Sequence, residues 1–305
     1  MSTRHINKLR LVVIAVVAVC LTFLVGSLLL FPYYARQMPP WVLPNQGWTT
    51  EAAEAALASL GWTADTYLRL RLSLTVLTAV VYCGSGLYIL LRRPNEPYAL
   101  LLAMTMVLFG VASADAPYVL AHLGVVGERA AYALSSLAYG LLILTVPLFP
   151  DGRFVPRWTR WIGILGLALL IYAVFFQPHP TRPPAAPIVA MISVLFLAAV
   201  VGQVYRYRVT ETAVERQQTK WVLWAIVINL VYQLGLNAIY ASPVFNGLDG
   251  RGMLFSLLRT TTLILVTATI PIVLTVAIVR YRLFDIDVVI RKTLLYAVLT
   301  GLLAL

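Results

Sequence analysis

Charged side chains are scarce in this sequence, as are histidine and cysteine. Charged residues make up 11% of the 305 positions, against 61% hydrophobic ones. A soluble domain carries about 25% charged residues, so this chain has too few to cover a water-exposed surface. The only cysteines, Cys20 and Cys83, each lie inside an apolar run. No disulfide framework can be read from that placement. The two thiols could approach each other if the first two spans pack together, but we predict that they are buried and reduced.

The residue clusters that catalysis and cofactor binding require are also missing. The three histidines fall in separate segments without metal-ligand spacing. The sequence has no phosphate-binding glycine loop, no GxSxG and no CxxC. We therefore predict no metal, no cofactor and no enzyme activity for this chain.

Apolar runs long enough to cross a bilayer recur along the sequence. The basic residues Arg4, Lys8 and Arg10 precede the first run, which is too long for a cleaved signal peptide and fits a retained anchor. The fold predicted for residues 1–305 is an all-α, polytopic transmembrane helix bundle with eight spans and a truncated ninth. The eight spans are 11–31, 70–91, 98–117, 130–149, 161–176, 186–205, 221–241 and 260–279. The last run, 294–305, is too short to cross alone.

The distribution of lysine and arginine predicts the orientation. With the N-terminus in the cytoplasm, 16 of the 23 basic residues fall in inside segments and seven fall outside. The net charge of +11 is then a topology signal, and nucleic acid is excluded as a partner. The predicted cytoplasmic loops after the tail are 92–97, 150–160, 206–220 and 280–293.

The predicted outer segment, 32–69, has a proline-rich first part and a short helix in its second part. Thr50 is the expected cap of this helix, which should run from Glu51 to Leu60 and end at Gly61. Its apolar positions have helical spacing, and tryptophans surround it, which favours a location in the outer membrane interface. Two interpretations remain open, an inert anchor and a lid over an outward-facing ligand site.

The seventh predicted span carries the most specific polar pattern. Asn229, Gln233 and Asn237 recur every four residues and should lie on one helix face. A carboxamide in lipid leaves polar atoms unpaired, so we expect this face to contact protein or a wet cavity. Thr267 and Thr275 flank Pro271 in the next span, where the proline should kink the helix. These five polar residues are candidates for ligand binding or for interhelical hydrogen bonds.

Three motifs lie in the predicted cytoplasmic loops, at the ends of spans. They are Phe149-Pro-Asp-Gly-Arg-Phe154, Glu215-Arg-Gln-Gln-Thr-Lys-Trp221 and Tyr281-Arg-Leu-Phe-Asp-Ile-Asp-Val-Val-Ile290. Together they resemble the multi-pass membrane input region of bacterial two-component sensor histidine kinases, of the kind related to quorum-sensing competence kinases. The resemblance covers the chain from Phe149 onward.

This resemblance implies a bacterial plasma membrane protein with lipid as its immediate partner. It also implies that the full-length parent forms a homodimer and continues beyond Leu305 into a kinase domain. A response regulator would be a partner only of that kinase domain. The hook 280–293 would then couple the signal to that domain, and its coupling candidates are Arg280, Arg282, Phe284, Asp285 and Asp287. The alternative function is a stand-alone membrane protein that binds or transports a small hydrophobic solute.

Overall fold

The computed structural model describes residues 3–37, 49–176, 186–209, 213–240 and 247–279. These residues form eleven α-helices and one short 3-10 helix at Arg157–Thr159, and the described ranges contain no strand. The prediction of an all-helical fold is therefore confirmed. The helices are α1 Thr3–Gln37, α2 Thr50–Ser59, α3 Ala64–Arg92, α4 Pro97–Ser113, α5 Ala116–Ala121, α6 Gly124–Leu148, α7 Arg160–Phe176, α8 Ala186–Val209, α9 Ala213–Tyr240, α10 Gly250–Thr267 and α11 Thr269–Val279.

Several of these helices can cross a membrane. Five stretches are long and apolar enough by length and composition: Arg4–Arg36, Ala64–Arg92, Gly124–Leu148, Glu215–Leu236 and Gly250–Ile278. Large apolar side chains on these helices point away from the bundle; Leu29 is 76% exposed and Val80 is 63% exposed. The chain is a membrane protein built around these helices. Helices α4, α7 and α8 coincide with the other three predicted spans, and the count of eight stays a prediction.

Several predicted boundaries differ from the helix ends in the structure, and three of them have a clear physical reason. Helix α1 continues through Pro32 to Gln37, because one missing N–H in the last turns does not end a helix that other contacts support. The third span ends at Ser113 because Asp115 adopts a left-handed conformation with φ of 55°. Thr49, rather than Thr50, caps α2, since its hydroxyl accepts the amide of Ala52.

Helix α4 lies at the centre of the bundle and packs closely against α3. Its Leu102, Ala103, Met106 and Val107 are each at most 1% exposed. A Cβ on Gly86 would approach the carbonyl oxygen of Ala103 to 2.7 Å, closer than real Cβ atoms come. The two backbones therefore touch, as they do at small residues in membrane bundles. Cys20 and Cys83 belong to the same core and are buried free thiols, as predicted.

Contacts between helix termini define the two ends of the bundle. At one end, Arg71 of α3 reaches Asp115 and Arg36 of α1 reaches Asp65; we call it the Asp115 end. At the other, Arg206 of α8 reaches Asp151, and we call it the Asp151 end. There the Arg93 guanidinium also donates to the carbonyl of Ile278 in α11, at 3.5 Å.

Candidate functional site

An arginine–aspartate pair fastens α3 to the α4–α5 corner at the Asp115 end. The Arg71 Nε donates to Asp115 Oδ2 at 3.0 Å, and its Nη2 donates to Oδ1 at 2.6 Å. The hydroxyl of Thr75 donates to the same Oδ2 at 2.6 Å. The side chains of Arg71 and Asp115 are 27% and 13% exposed. Two-pronged, charge-assisted bonding of this kind is strong and fixes orientation, so the pair holds the corner in one position.

The backbone at Asp115 explains why the corner forms there. Its φ of 55° is left-handed, a region that aspartate tolerates better than most residues but that costs about 1 kcal/mol. Pro117 follows at the start of α5, so the chain cannot continue α4 straight through. Next to the corner, burial raises the pKa of Tyr118 to about 12, with the Asp115 carboxylate as the second cause. The phenol is therefore neutral at physiological pH.

A narrow cleft lies beside this pair, between α3 and α10. Its cavity volume is about 10 Å³, which is room for about one water molecule. One wall carries the Arg71 guanidinium and the other carries hydroxyl groups. The lining residues are Tyr67, Leu70, Arg71, Leu74, Leu257, Thr260 and Thr261.

Helix α2 covers the cleft. Ala53 and Leu57 of α2 are fully buried and form one apolar cluster with Met253 and Leu257 of α10. Because Leu257 also lines the cleft, α2 packs directly on one of its walls. A ligand larger than water can enter from this side only if α2 or α10 moves.

The polar stripe of α9 faces its neighbours at only one of its described positions. Asn229 is 9% exposed, and its Nδ2 donates to Ala225 O at 2.8 Å and to Thr269 Oγ1 of α11 at 3.1 Å. Gln233, by contrast, is exposed, so the prediction that it packs against another helix of this chain was wrong. The side chain of Asn237 lies outside the described residues. Four residues advance an α-helix by about 400°, or 40° beyond a full turn, and this drift takes Gln233 out of the contact that Asn229 makes.

The predicted kink near Pro271 is present as the break between α10 and α11 at Ala268. Proline has no N–H to donate to the carbonyl four residues earlier, which is that of Thr267. The hydroxyl of Tyr82 in α3 donates to this carbonyl instead, at 3.0 Å. The hydroxyls of Thr267 and Thr275 bond to their own helices, at Leu263 O and Pro271 O. Of the five candidates, only Asn229 therefore makes a described side-chain bond between helices.

The Asp151 end is built around a buried arginine that sequence reasoning counted only as a topology charge. Arg206 is 2% exposed; its guanidinium bonds to Asp151 and donates to the carbonyl of Arg153 at 2.9 Å. One turn earlier on α8, Gln203 donates to the carbonyl of Val146 at 2.6 Å. Gly152 has φ of +78°, which only glycine adopts readily, and it completes a turn within the first motif. The turn is thus bound to α8 at several points.

Sequence reasoning missed the partners of both aspartates. Arg71 and Arg206 lie 44 and 55 residues away from Asp115 and Asp151, so no local pattern joins them. The one available signal was an arginine within an apolar run, which generally requires a partner. The five coupling candidates of 280–293 and the ninth run 294–305 lie outside the described residues.

Comparison with known proteins adds no relative. No family model, no curated protein and no solved structure matches the chain. Within the described ranges, no three His, Cys, Asp or Glu side chains are arranged to hold a metal ion. The candidate site is thus the α2-covered cleft with the Arg71–Asp115 pair, connected through α3 and α4 to the Asp151 end.

Proposed function

We propose that this chain is the membrane-embedded signal-input region of a bacterial sensor histidine kinase. The Asp115 end faces outward and the Asp151 end and N-terminus face the cytoplasm, with eight spans and the start of a ninth. The signal enters at the α2-covered cleft. The kinase domain follows in the longer protein and supplies the catalysis, the homodimer and the contact with a response regulator.

The observation that carries the proposal is that the first two resembling motifs are both bonded to helices at the Asp151 end. Asp151 of the first motif is bonded to Arg206 in α8. Gln218 of the second motif is buried and donates to the carbonyl of Ala277 in α11, at 2.8 Å. The third motif begins at Tyr281, four residues after Ala277. Two motifs thus fasten the helices that lead to the third.

Close packing in the middle of the bundle supports signalling rather than transport of a solute. A Cβ on Gly110 would meet Cys83 Sγ at 2.8 Å, and one on Gly86 would meet Ala103 O at 2.7 Å. Such contact leaves no passage between α3 and α4. When a force acts at one end, closely packed helices of this kind move as rigid units, by about 1–2 Å. Helix α3 carries Arg71 at one end and Arg93 at the other, so it can couple the two ends.

The kinase part of the proposal is tested by the gene. The gene sequence between codon 305 and the native stop codon should encode a helix with a phospho-acceptor histidine and, after it, a glycine-rich ATP lid. A stop codon directly after Leu305, in a chain that is stable and active alone, would refute the kinase assignment.

The lid part is tested by fixing α2 to α10 with a disulfide. Ser59 Cβ lies 3.5 Å from the position that a Cβ on Gly250 would take, within the range that a disulfide spans. In the full-length protein carrying Ser59→Cys and Gly250→Cys, oxidation should change the autophosphorylation rate several-fold, because the lid can no longer move. Addition of dithiothreitol should restore the original rate.

The two single-cysteine variants are the matched controls for this experiment, since neither can form the bridge. Cys20 and Cys83 are buried and should not react under the same oxidant. An autophosphorylation rate that is the same in the oxidised and the reduced double variant would show that α2 is not a lid for the signal.

A further inference from the structure

We propose that the groove between α1 and the first turns of α3 binds a phospholipid with an anionic headgroup. This groove is separate from the α2-covered cleft, and the inference holds whichever way the chain is oriented. It needs only that the Asp115 end lies at a membrane surface. Its cavity volume is about 130 Å³, and it is lined by Phe31, Pro32, Arg36, Asp65, Leu68, Arg69 and Leu72.

The floor of the groove is apolar. Phe31 is 2% exposed and packs with Leu68 and Leu72, which are half-buried. These side chains present hydrocarbon to the cavity rather than hydrogen-bonding groups. An acyl chain gains about 0.8 kcal/mol for each CH₂ that it buries, so such a floor favours a ligand with a hydrocarbon part.

The mouth of the groove is positively charged. Arg36 approaches Asp65 only to 3.8 Å, and both side chains are about 70% exposed, so this pair is weak. In the described part of the chain, the Arg69 guanidinium has no ion pair. Two arginines against one aspartate leave an excess positive charge, and guanidinium groups match phosphate oxygens in geometry.

The groove opens toward lipid along α1. A second cavity shares Pro32 and Arg36 with it and continues past Leu29 and Tyr33, which are 76% and 60% exposed. A cationic mouth at the end of an apolar helix, joined to an open depression on that helix's outer side, matches a lipid in the adjoining leaflet. The phosphate lies at Arg36 and Arg69, and the upper part of one acyl chain lies on Phe31.

The inference is tested by lipid binding to the whole 305-residue chain in detergent. Native mass spectrometry would compare retention of phosphatidylglycerol, which is anionic, with that of phosphatidylcholine, which is zwitterionic. We expect one phosphatidylglycerol to be retained in preference. Arg69→Gln should weaken its binding about fivefold, the effect expected of one basic residue at an anionic lipid surface.

Two further variants separate this groove from general charge attraction. Arg129 is exposed near the start of α6, at the same end and outside the groove, so Arg129→Gln removes the same charge and should leave binding unchanged. Leu72→Trp fills the groove without changing its charge and should reduce retention. If Leu72→Trp does not elute as a folded protein, the comparison of Arg69→Gln with Arg129→Gln decides.

Three outcomes would overturn the inference. Equal losses in Arg69→Gln and Arg129→Gln would indicate diffuse attraction. Equal retention of the two lipids in the wild-type chain would remove the requirement for an anionic headgroup. Binding of oleate that depends on Arg69, without binding of phosphatidylglycerol, would show that the groove takes a free fatty acid instead.

Discussion

Each end of the bundle is held by an arginine–aspartate pair, and the two pairs differ in what surrounds them. At the Asp151 end the arginine is buried at 2% exposure, and it also binds a backbone carbonyl of the turn that it holds. At the Asp115 end the arginine is 27% exposed and lines a cleft whose roof is a separate short helix. A pair whose cation has no access to water is costly to break, whereas water can reach the partly exposed Arg71 and replace its partner. The pair at the Asp151 end is therefore expected to be the harder to break, and a movement at the Asp115 end is expected at α2 and the cleft rather than at the Arg71–Asp115 pair.

The largest expected effect comes from breaking the pair at the Asp151 end. Asp151→Asn leaves the Arg206 charge buried beside a neutral partner and should lower the free energy of unfolding by about 3 kcal/mol. Reversible unfolding of the chain in mixed micelles with increasing dodecyl sulfate measures this loss.

Arg153 provides the control at the same turn, because its side chain is 83% exposed. Arg153→Gln should cost less than about 0.5 kcal/mol. A loss for Asp151→Asn as small as that of the control would mean that the buried pair does not hold this end.

Breaking the pair at the Asp115 end should have a smaller effect. Asp115→Asn weakens the two bonds from Arg71, but the arginine is partly hydrated, so we expect a loss of about 1.5 kcal/mol. Asp65→Asn is the control, since its 3.8 Å pair with Arg36 is exposed and should contribute about 0–0.5 kcal/mol. A loss for Asp115→Asn that equals or exceeds that for Asp151→Asn would reverse the comparison of the two ends.

The smallest effect lies between the ends, on α9. Asn229→Leu removes the bond to Thr269 and should cost about 0.6 kcal/mol, the average for hydrogen bonds between membrane helices. Gln233→Leu should cost nothing, because an exposed carboxamide on a membrane span is worse in lipid than leucine is. The same unfolding titration compares the two variants. Equal losses would indicate that Gln233 has a partner outside this chain.

The helices follow from local features of the sequence, and the pairs that join them do not. Hydrophobic runs predicted where the helices lie, and Pro271 predicted the break near Ala268, because both depend on neighbouring residues. Arg71 and Arg206 find their partners 44 and 55 residues away, and no spacing rule links residues so distant in sequence. The Asn229 stripe shows an intermediate case: helical spacing predicted a shared face, but neighbouring helices decided how much of that face is covered.

The proposed function requires the Asp115 end to face outward and the Asp151 end to face the cytoplasm. Single cysteines at exposed positions test this directly, and Val126 at 83% exposure and Arg153 at 83% offer one at each end. The native thiols are buried and should stay unlabelled. With a membrane-impermeant maleimide, Val126→Cys should be labelled in intact cells and Arg153→Cys only after permeabilisation. Labelling of Arg153→Cys in intact cells would contradict the account.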